Sequence, residues 1–276
     1  MSHLRCGKFT LSLARPLIMG VVNLTPDSFS DAGKFATPRA AVAHARRLCE
    51  EGADIIDIGG ESTRPGASGV SLETERRRVL PVLEQLAAGP VPLSVDTQKP
   101  ELMREAIATG ASMINDINAL LAPGAIAAVA ASDAALCPMH KQGAPQFMQV
   151  DPHYDDVVAE VLAFLDQRVA AVRAAGIAIE RIVIDPGFGF GKTLEHNLEL
   201  LRSLGRFAAV GPVVLAGISR KTMLGRLTGR AVEERVYASV AAALIAAQKG
   251  ARILRVHDVA ATRDALAVWN AVRSEE

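Results

Sequence analysis

Eight short apolar runs, rich in β-branched residues, recur along the chain between longer alanine-rich segments, and this alternation limits the possible folds more than any other feature. The runs cover residues 17–22, 54–58, 92–95, 112–115, 134–138, 181–184, 213–216 and 252–256. Their apolar character is continuous, as expected for parallel strands buried on both faces. The intervening segments carry helix punctuation. Thr37 can cap a helix that opens at Pro38 and stops before Gly52, and Pro100 opens another that stops at Gly110. Residues 153–175 predict a long helix ended by Gly176, and 259–272 predict the last one. Strand–helix units repeated eight times without a linker predict an α/β fold: a single (β/α)8 TIM barrel domain over residues 1–276. Residues 4–13 predict a short N-terminal hairpin plugging the barrel's amino end. An open doubly wound sheet would more naturally carry a glycine fingerprint after its first strand, and Asn23-Leu24-Thr25-Pro26-Asp27 is not one.

Composition removes several classes of function. Lys plus Arg and Asp plus Glu both number 30, so no net field marks a nucleic-acid or membrane-surface binder. Half of the residues are hydrophobic, enough for a large core, and no apolar stretch reaches the length of a membrane span. The N-terminus lacks the apolar segment of a secretion signal, and a cytoplasmic location is expected. Cys6, Cys49 and Cys137 are scattered and read as core thiols rather than a disulfide or zinc framework. The histidines show no zinc-binding spacing, and no nucleophile elbow is present.

Each apolar run ends in a polar or glycine-rich burst, and in a barrel these bursts converge on one mouth. Asp96, Asn115 and Asp185 stand where the third, fourth and sixth strands finish. They are expected to point into the mouth, where a desolvated carboxylate needs donors. One reading is an ion pair that holds the mouth together. The other is recognition of a polar heterocycle whose adjacent N–H and NH2 groups pair with a carboxylate as a guanidinium would. Ser219-Arg220-Lys221 and Arg255-x-His257 follow the last two strands, where barrels often build an anion site. Asn23 and the hydroxyls of the first two loops would complete it, with a magnesium ion bridging to phosphate oxygens. The glycines of 187–191 fit neither a P-loop nor a dinucleotide fingerprint, and are expected to bring Phe188 and Phe190 near a ligand or into the core.

At these residues the sequence resembles the dihydropteroate synthase family. The matching stretches are 23–31 (NLTPDSFSD), 59–67 (GGESTRPGA), 94–97 (SVDT), 114–117 (INDI), 185–193 (DPGFGFGKT), 219–221 (SRK) and 255–259 (RVHDV). The resemblance implies condensation of 6-hydroxymethyl-7,8-dihydropterin diphosphate with p-aminobenzoate, with magnesium as cofactor, in a homodimer that sulfonamides target. Carried over by position, Asp96, Asn115, Asp185, Lys221 and Arg255 hold the pterin. Asn23, Arg255 and His257 take the diphosphate, with Asn23 on the metal. Thr63, Arg64, Pro65, Phe190 and Thr222 shape the aminobenzoate site, and Asp27, Thr63, Arg64 and Lys221 serve catalysis. Two positions depart from the family pattern: Thr222 stands where serine is usual, and Lys141 where an apolar residue is usual. A corrinoid-dependent methyltransferase, similar around the pterin aspartates, would have no use for a diphosphate site.

Overall fold

The computed structural model describes residues 2–25, 37–62, 66–144 and 146–273. It opens with an antiparallel hairpin, β1 (His3–Cys6) and β2 (Phe9–Ser12), paired from His3 with Ser12 to Cys6 with Phe9. Eight parallel strands follow: β3 (Leu17–Asn23), β4 (Ile55–Gly59), β5 (Leu93–Asp96), β6 (Met113–Asp116), β7 (Ala135–Pro138), β8 (Val183–Ile184), β9 (Val213–Ala216) and β10 (Ile253–Val256). Their spatial order is β7-β6-β5-β4-β3-β10-β9-β8. Bridges between Leu136 and Ile182 and between Met139 and Asp185 close β7 onto β8 and complete the barrel.

Most of the helices follow the sequence punctuation. Helix α1 (Pro38–Glu50) has Thr37 accepting from the Ala40 N–H at its cap, and α3 (Pro100–Thr109) ends at Gly110 with φ of 121°. The long α5 spans Val157–Ala174, so it starts four residues later than the expected 153. The cause is local: the Asp156 carboxylate accepts from both Val158 and Ala159 N–H, which fixes the first turn there. Helix α2 (Leu72–Leu86), the short α4 (Ala125–Ala130), α6 (Leu194–Arg202), α7 (Leu204–Ala208), α8 (Thr222–Thr228), α9 (Val236–Gln248) and α10 (Val259–Arg273) supply the rest of the outer layer.

Two cores result from strand alternation. Ile18, Val22, Ile56, Ile58, Ile114 and Leu254 face outward and pack under the helices. Leu17, Met19, Ile55, Met113, Val183 and Ile253 face inward, and there they meet Leu4 and Cys6 of the hairpin. Both hairpin side chains are fully buried, so the hairpin closes the amino end of the barrel as expected. The inside is thus packed from below. Only its carboxyl end is left for polar groups.

Candidate active site

The same alternation that buries Ile55 turns Asp57 and Gly59 inward, and it does likewise for Asp96, Asn115 and Arg255 on their strands. Contacts across the barrel bear this out. Arg255 on β10 donates from Nε to Asp57 Oδ2 at 2.7 Å and from Nη2 to Asp96 Oδ2 at 3.2 Å. Asn115 on β6 donates to the same Asp57 oxygen at 3.3 Å. Asp57 Oδ1, buried with the rest of its side chain, has no hydrogen-bond partner among the described residues. A buried acceptor without a donor is costly, about 1–3 kcal/mol, unless a ligand meets it.

The electrostatics follow from burial. Desolvation pushes the Asp96 carboxyl up to about 8, against the pull of Arg255 and with the help of Asp57. Asp185, immediately after β8, is also raised by burial, while Lys221, the Gly187 N–H and Arg255 act in the opposite direction. Burial brings Lys221 down to about 8 despite the facing Asp185. The mouth is therefore a desolvated set of carboxylates around one guanidinium and one ammonium, arranged to accept N–H donors.

The loop between β8 and α6 sets the position of Lys221. Gly187, Gly189 and Gly191 all have positive φ, at 72°, 80° and 63°. A β-carbon on Gly187 would lie 1.8 Å from the His140 carbonyl oxygen, so only glycine fits. Asp185 Oδ1 accepts from the Gly187 N–H at 2.7 Å. Lys221 Nζ donates to the Phe188 carbonyl and lies 4.6 Å above the Phe190 ring centre. The two phenylalanines have separate fates: Phe188 is fully buried in the outer core, and Phe190 faces Lys221 at the mouth.

Two of the three expected cations are engaged by carboxylates. Arg220 has φ of 57°, and this left-handed residue turns its side chain away to Asp258, with Nε at 3.0 Å and Nη2 at 2.5 Å from the two carboxylate oxygens. Arg255 is engaged by Asp57 and Asp96. His257 stays beside Ser219, its Nδ1 at 3.0 Å from the hydroxyl and its backbone N–H donating to the same oxygen at 3.2 Å. Thr222 is the exposed first residue of α8. Asn23 ends β3 in register with Gly59, which pairs in turn with Asp96. A β-carbon on Gly59 would lie 3.8 Å from Asn23 Oδ1 and 3.9 Å from Asp96 Oδ2, so its absence opens a hollow between those oxygens.

Asp27, Thr63, Arg64 and Pro65 lie outside the described residues. The start of their second loop is anchored. Lys99 Nζ donates to Glu75 Oε2 at 2.5 Å and to Glu61, and Arg78 donates to the Gly60 carbonyl at 2.8 Å. Lys141 is half-buried, and its charge lies within reach of Asp116 and Glu61. Sequence reasoning missed Asp57. Its signal was there: it is the one charge in the run 55–59, and it shares its face with Gly59. Lys192 was also missed; it is buried, with its ammonium among three acceptors.

A parallel barrel with a desolvated carboxylate mouth can accept a donor-rich heterocycle, and comparison supplies the class. The model of the family described as Pterin binding enzyme matches residues 19–257, and the chain belongs to that family. Its relatives narrow this further. A dihydropteroate synthase from Neisseria meningitidis serogroup B is 52% identical over 275 residues, covering 97% of this chain and 96% of the relative. The Xanthomonas albilineans dihydropteroate synthase with 4-aminobenzoic acid superposes with a TM-score of 0.93 at 57% identity, covering 99% of this chain and 98% of that one. The Burkholderia cenocepacia enzyme complexed with 7,8-dihydropteroate gives 0.90 at 51% identity, covering 99% and 97%.

Proposed function

We propose that this chain is a dihydropteroate synthase, joining 6-hydroxymethyl-7,8-dihydropterin diphosphate to p-aminobenzoate. The observation that carries this reading is the buried constellation of Asp57, Asp96, Asn115 and Asp185 around Arg255 and Lys221. A pterin edge presents ring N–H and NH2 donors to carboxylates, and such bonds contribute about 1.5–3 kcal/mol each. Asp185, Asp96 and Asn115 bind this edge, Lys221 donates to the ring's acceptor side, and Arg255 flanks the ring. Donors reaching Asp96 and Asp185 favour the charged forms that burial alone disfavours.

The amine nitrogen of p-aminobenzoate forms the new bond to the pterin methylene carbon. The carbon–oxygen bond to diphosphate breaks, its electron pair leaves with the diphosphate, and the nitrogen releases a proton. Asn23, Arg255 and His257 receive the leaving diphosphate. Thr63, Arg64, Pro65, Phe190 and Thr222 form the aminobenzoate side, with Asp27 in the first loop. Holding both substrates in line contributes on the order of 7–11 kcal/mol of the rate enhancement.

Among the described residues no cluster of three His, Cys, Asp or Glu could hold a metal. The hard amide oxygen of Asn23, beside the hollow left by Gly59, is the kind of donor that would hold a magnesium ion. When bound, magnesium would neutralise charge developing on the diphosphate. We assign the protein to the cytoplasm; no helix among the described residues is long and apolar enough to cross a membrane. The homodimer reading is supported by an exposed apolar face on two packed helices, Tyr237 and Ile245 on α9 with Val268 and Val272 on α10.

The test is a coupled diphosphate-release assay with both substrates and magnesium. Release that depends on p-aminobenzoate is expected. Release without it, or none at all from folded protein that binds both substrates, refutes the assignment.

A further inference from the structure

The ammonium of Lys192 lies inside the protein among neutral acceptors: the Gly187 carbonyl at 2.9 Å, the Phe190 carbonyl at 3.0 Å and His140 Nδ1 at 3.0 Å. Its side chain is almost wholly buried. Three donors meet three acceptors, so the group is fully engaged and has no bond left for a substrate. It is too deep to be a surface lysine, and among the described residues it contacts no carboxylate. A buried cation without an ion-pair partner is expensive and calls for an explanation.

Each of its three partners has a second contact, and each of those contacts leads to the mouth. Gly187 donates its N–H to Asp185 Oδ1 at 2.7 Å. Phe190 places its ring under the Lys221 ammonium. The His140 backbone N–H donates to the Asp185 carbonyl at 3.0 Å across the β7–β8 seam. Lys192 thus holds three points that together determine where Asp185 and Lys221 stand relative to one another.

We propose that Lys192 is a positioning residue for the Asp185–Lys221 pair, and through that pair for the pterin; this rests on the pterin reading above. The charges around it agree. Burial brings Lys192 down to about 7, Asp185 opposes that shift, and Lys221 reinforces it. Burial and then Lys192 bring His140 down to about 3, so its imidazole stays neutral and its Nδ1 can accept. The other carbonyls of this loop have their own donors, Tyr154 Oη on Gly191 at 2.8 Å and Asn197 Nδ2 on Thr193 at 2.5 Å. Loss of Lys192 therefore leaves most of the loop tethered, the Gly187 carbonyl included through the Phe190 N–H at 3.1 Å, while removing the ammonium that ties Gly187, Phe190 and His140 together.

The experiment measures 6-hydroxymethylpterin binding by calorimetry, with thermal melting alongside, for Lys192→Met, His140→Leu, Asp185→Ala and Arg181→Met. Arg181 lies at the amino end of the same seam, and its variant serves as a control for lost stability. Lys192→Met is expected to weaken binding tenfold or more. His140→Leu, which removes one acceptor of three, should weaken it about threefold and covers the case in which Lys192→Met does not fold. Arg181→Met, with a comparable loss in melting temperature, should bind within twofold of the parent. Parent-like binding by folded Lys192→Met or by His140→Leu overturns the proposal, as does equal weakening in Arg181→Met. Parent-like binding by Asp185→Ala removes the pterin reading and this inference with it. Lost binding in Asp185→Ala with normal binding in Lys192→Met removes the inference alone.

Discussion

At the residue scale, the charge state of Lys221 contributes to how the mouth responds to pH, alongside the Asp96 carboxyl that burial also brings to about 8. Burial lowers its pKa from 10.5 to about 8, so the folded protein favours the neutral amine and the charged form costs stability below that value. The cost is relieved as pH rises from about 8 towards 10.5, whereas the proposed pterin contact uses the charged form. Activity is therefore expected to fall as pH rises through about 8, while folding stability gains from this group. A Lys221→Arg variant keeps its charge and should move that alkaline limb upward in a pH–rate profile; a limb left at about 8 would assign it to another group. The glycines of the neighbouring loop give a second test. Gly187→Ala puts a β-carbon against the His140 carbonyl, and the expected loss exceeds about 3 kcal/mol in denaturant unfolding. Gly211 has φ of 110° but open space around it, so Gly211→Ala should cost only the backbone strain of about 1–2 kcal/mol. A similar cost at both positions would remove the close-contact argument. Much of this site was legible in the sequence because strand ends are marked by polar residues: Asp96, Asn115 and Asp185 fall where apolar runs stop. Asp57 was not, because it lies inside its run, and only its phase relative to Gly59 shows that it faces inward. The turn at Arg220 was hidden for another reason. Nothing in Ser219-Arg220-Lys221 shows that its middle residue adopts positive φ and sends its charge to Asp258.

At the scale of elements, the β7–β8 seam is among the thinnest joins in the barrel. Strand β8 has only two residues, and the seam is made by two isolated bridges. Its brevity follows from the residues before it, where Ile179–Arg181 forms a 3-10 turn in place of the strand start expected at 181. Arg181 compensates. Its buried guanidinium donates to the Ala134 carbonyl at 3.0 and 2.7 Å and to the Val129 carbonyl at 3.2 Å, tying the turn to the segment that enters β7. Removing it takes both guanidinium donors from the Ala134 carbonyl, while Val129 keeps the Ser132 N–H and hydroxyl, so Arg181→Met should destabilise the fold by roughly 1–3 kcal/mol. Hydrogen exchange should localise the loss, with amides of β7 and β8 losing protection before those of β3 and β4; uniform loss would deny the seam its special weakness. The strands themselves were easy to find because parallel strands buried on both faces are apolar throughout. Their limits moved by a residue or two where a cap or turn intervened, as at Asp156 and Arg181. Helix α9 was ambiguous for the opposite reason, since an alanine-rich helix that is apolar all round does not announce which side is covered.

At the scale of the whole molecule, that ambiguity becomes a question about assembly. On α9, Ser239, Ala242, Ala243, Ala246 and Ala247 pack inward, leaving Tyr237 88% and Ile245 43% exposed on the opposite side. The adjoining α10 adds Val268 and Val272, 68% and 70% exposed. Large apolar side chains grouped on neighbouring helices are typical of a buried interface rather than a solvated surface. A symmetric dimer through this face would cover all four, because a two-fold axis presents the same patch to itself. The described residues of the mouth stand at the carboxyl ends of the strands, whereas these four side chains lie on the outer helices. Tyr237→Glu combined with Ile245→Glu would place like charges opposite one another across the axis. In analytical ultracentrifugation the parent should sediment with the mass of two chains and the double variant with the mass of one. The variant should retain pterin binding within a few fold, since no mouth residue is altered. A parent that sediments as one chain, or a double variant that stays paired, would place the partner surface elsewhere on the barrel or remove it altogether.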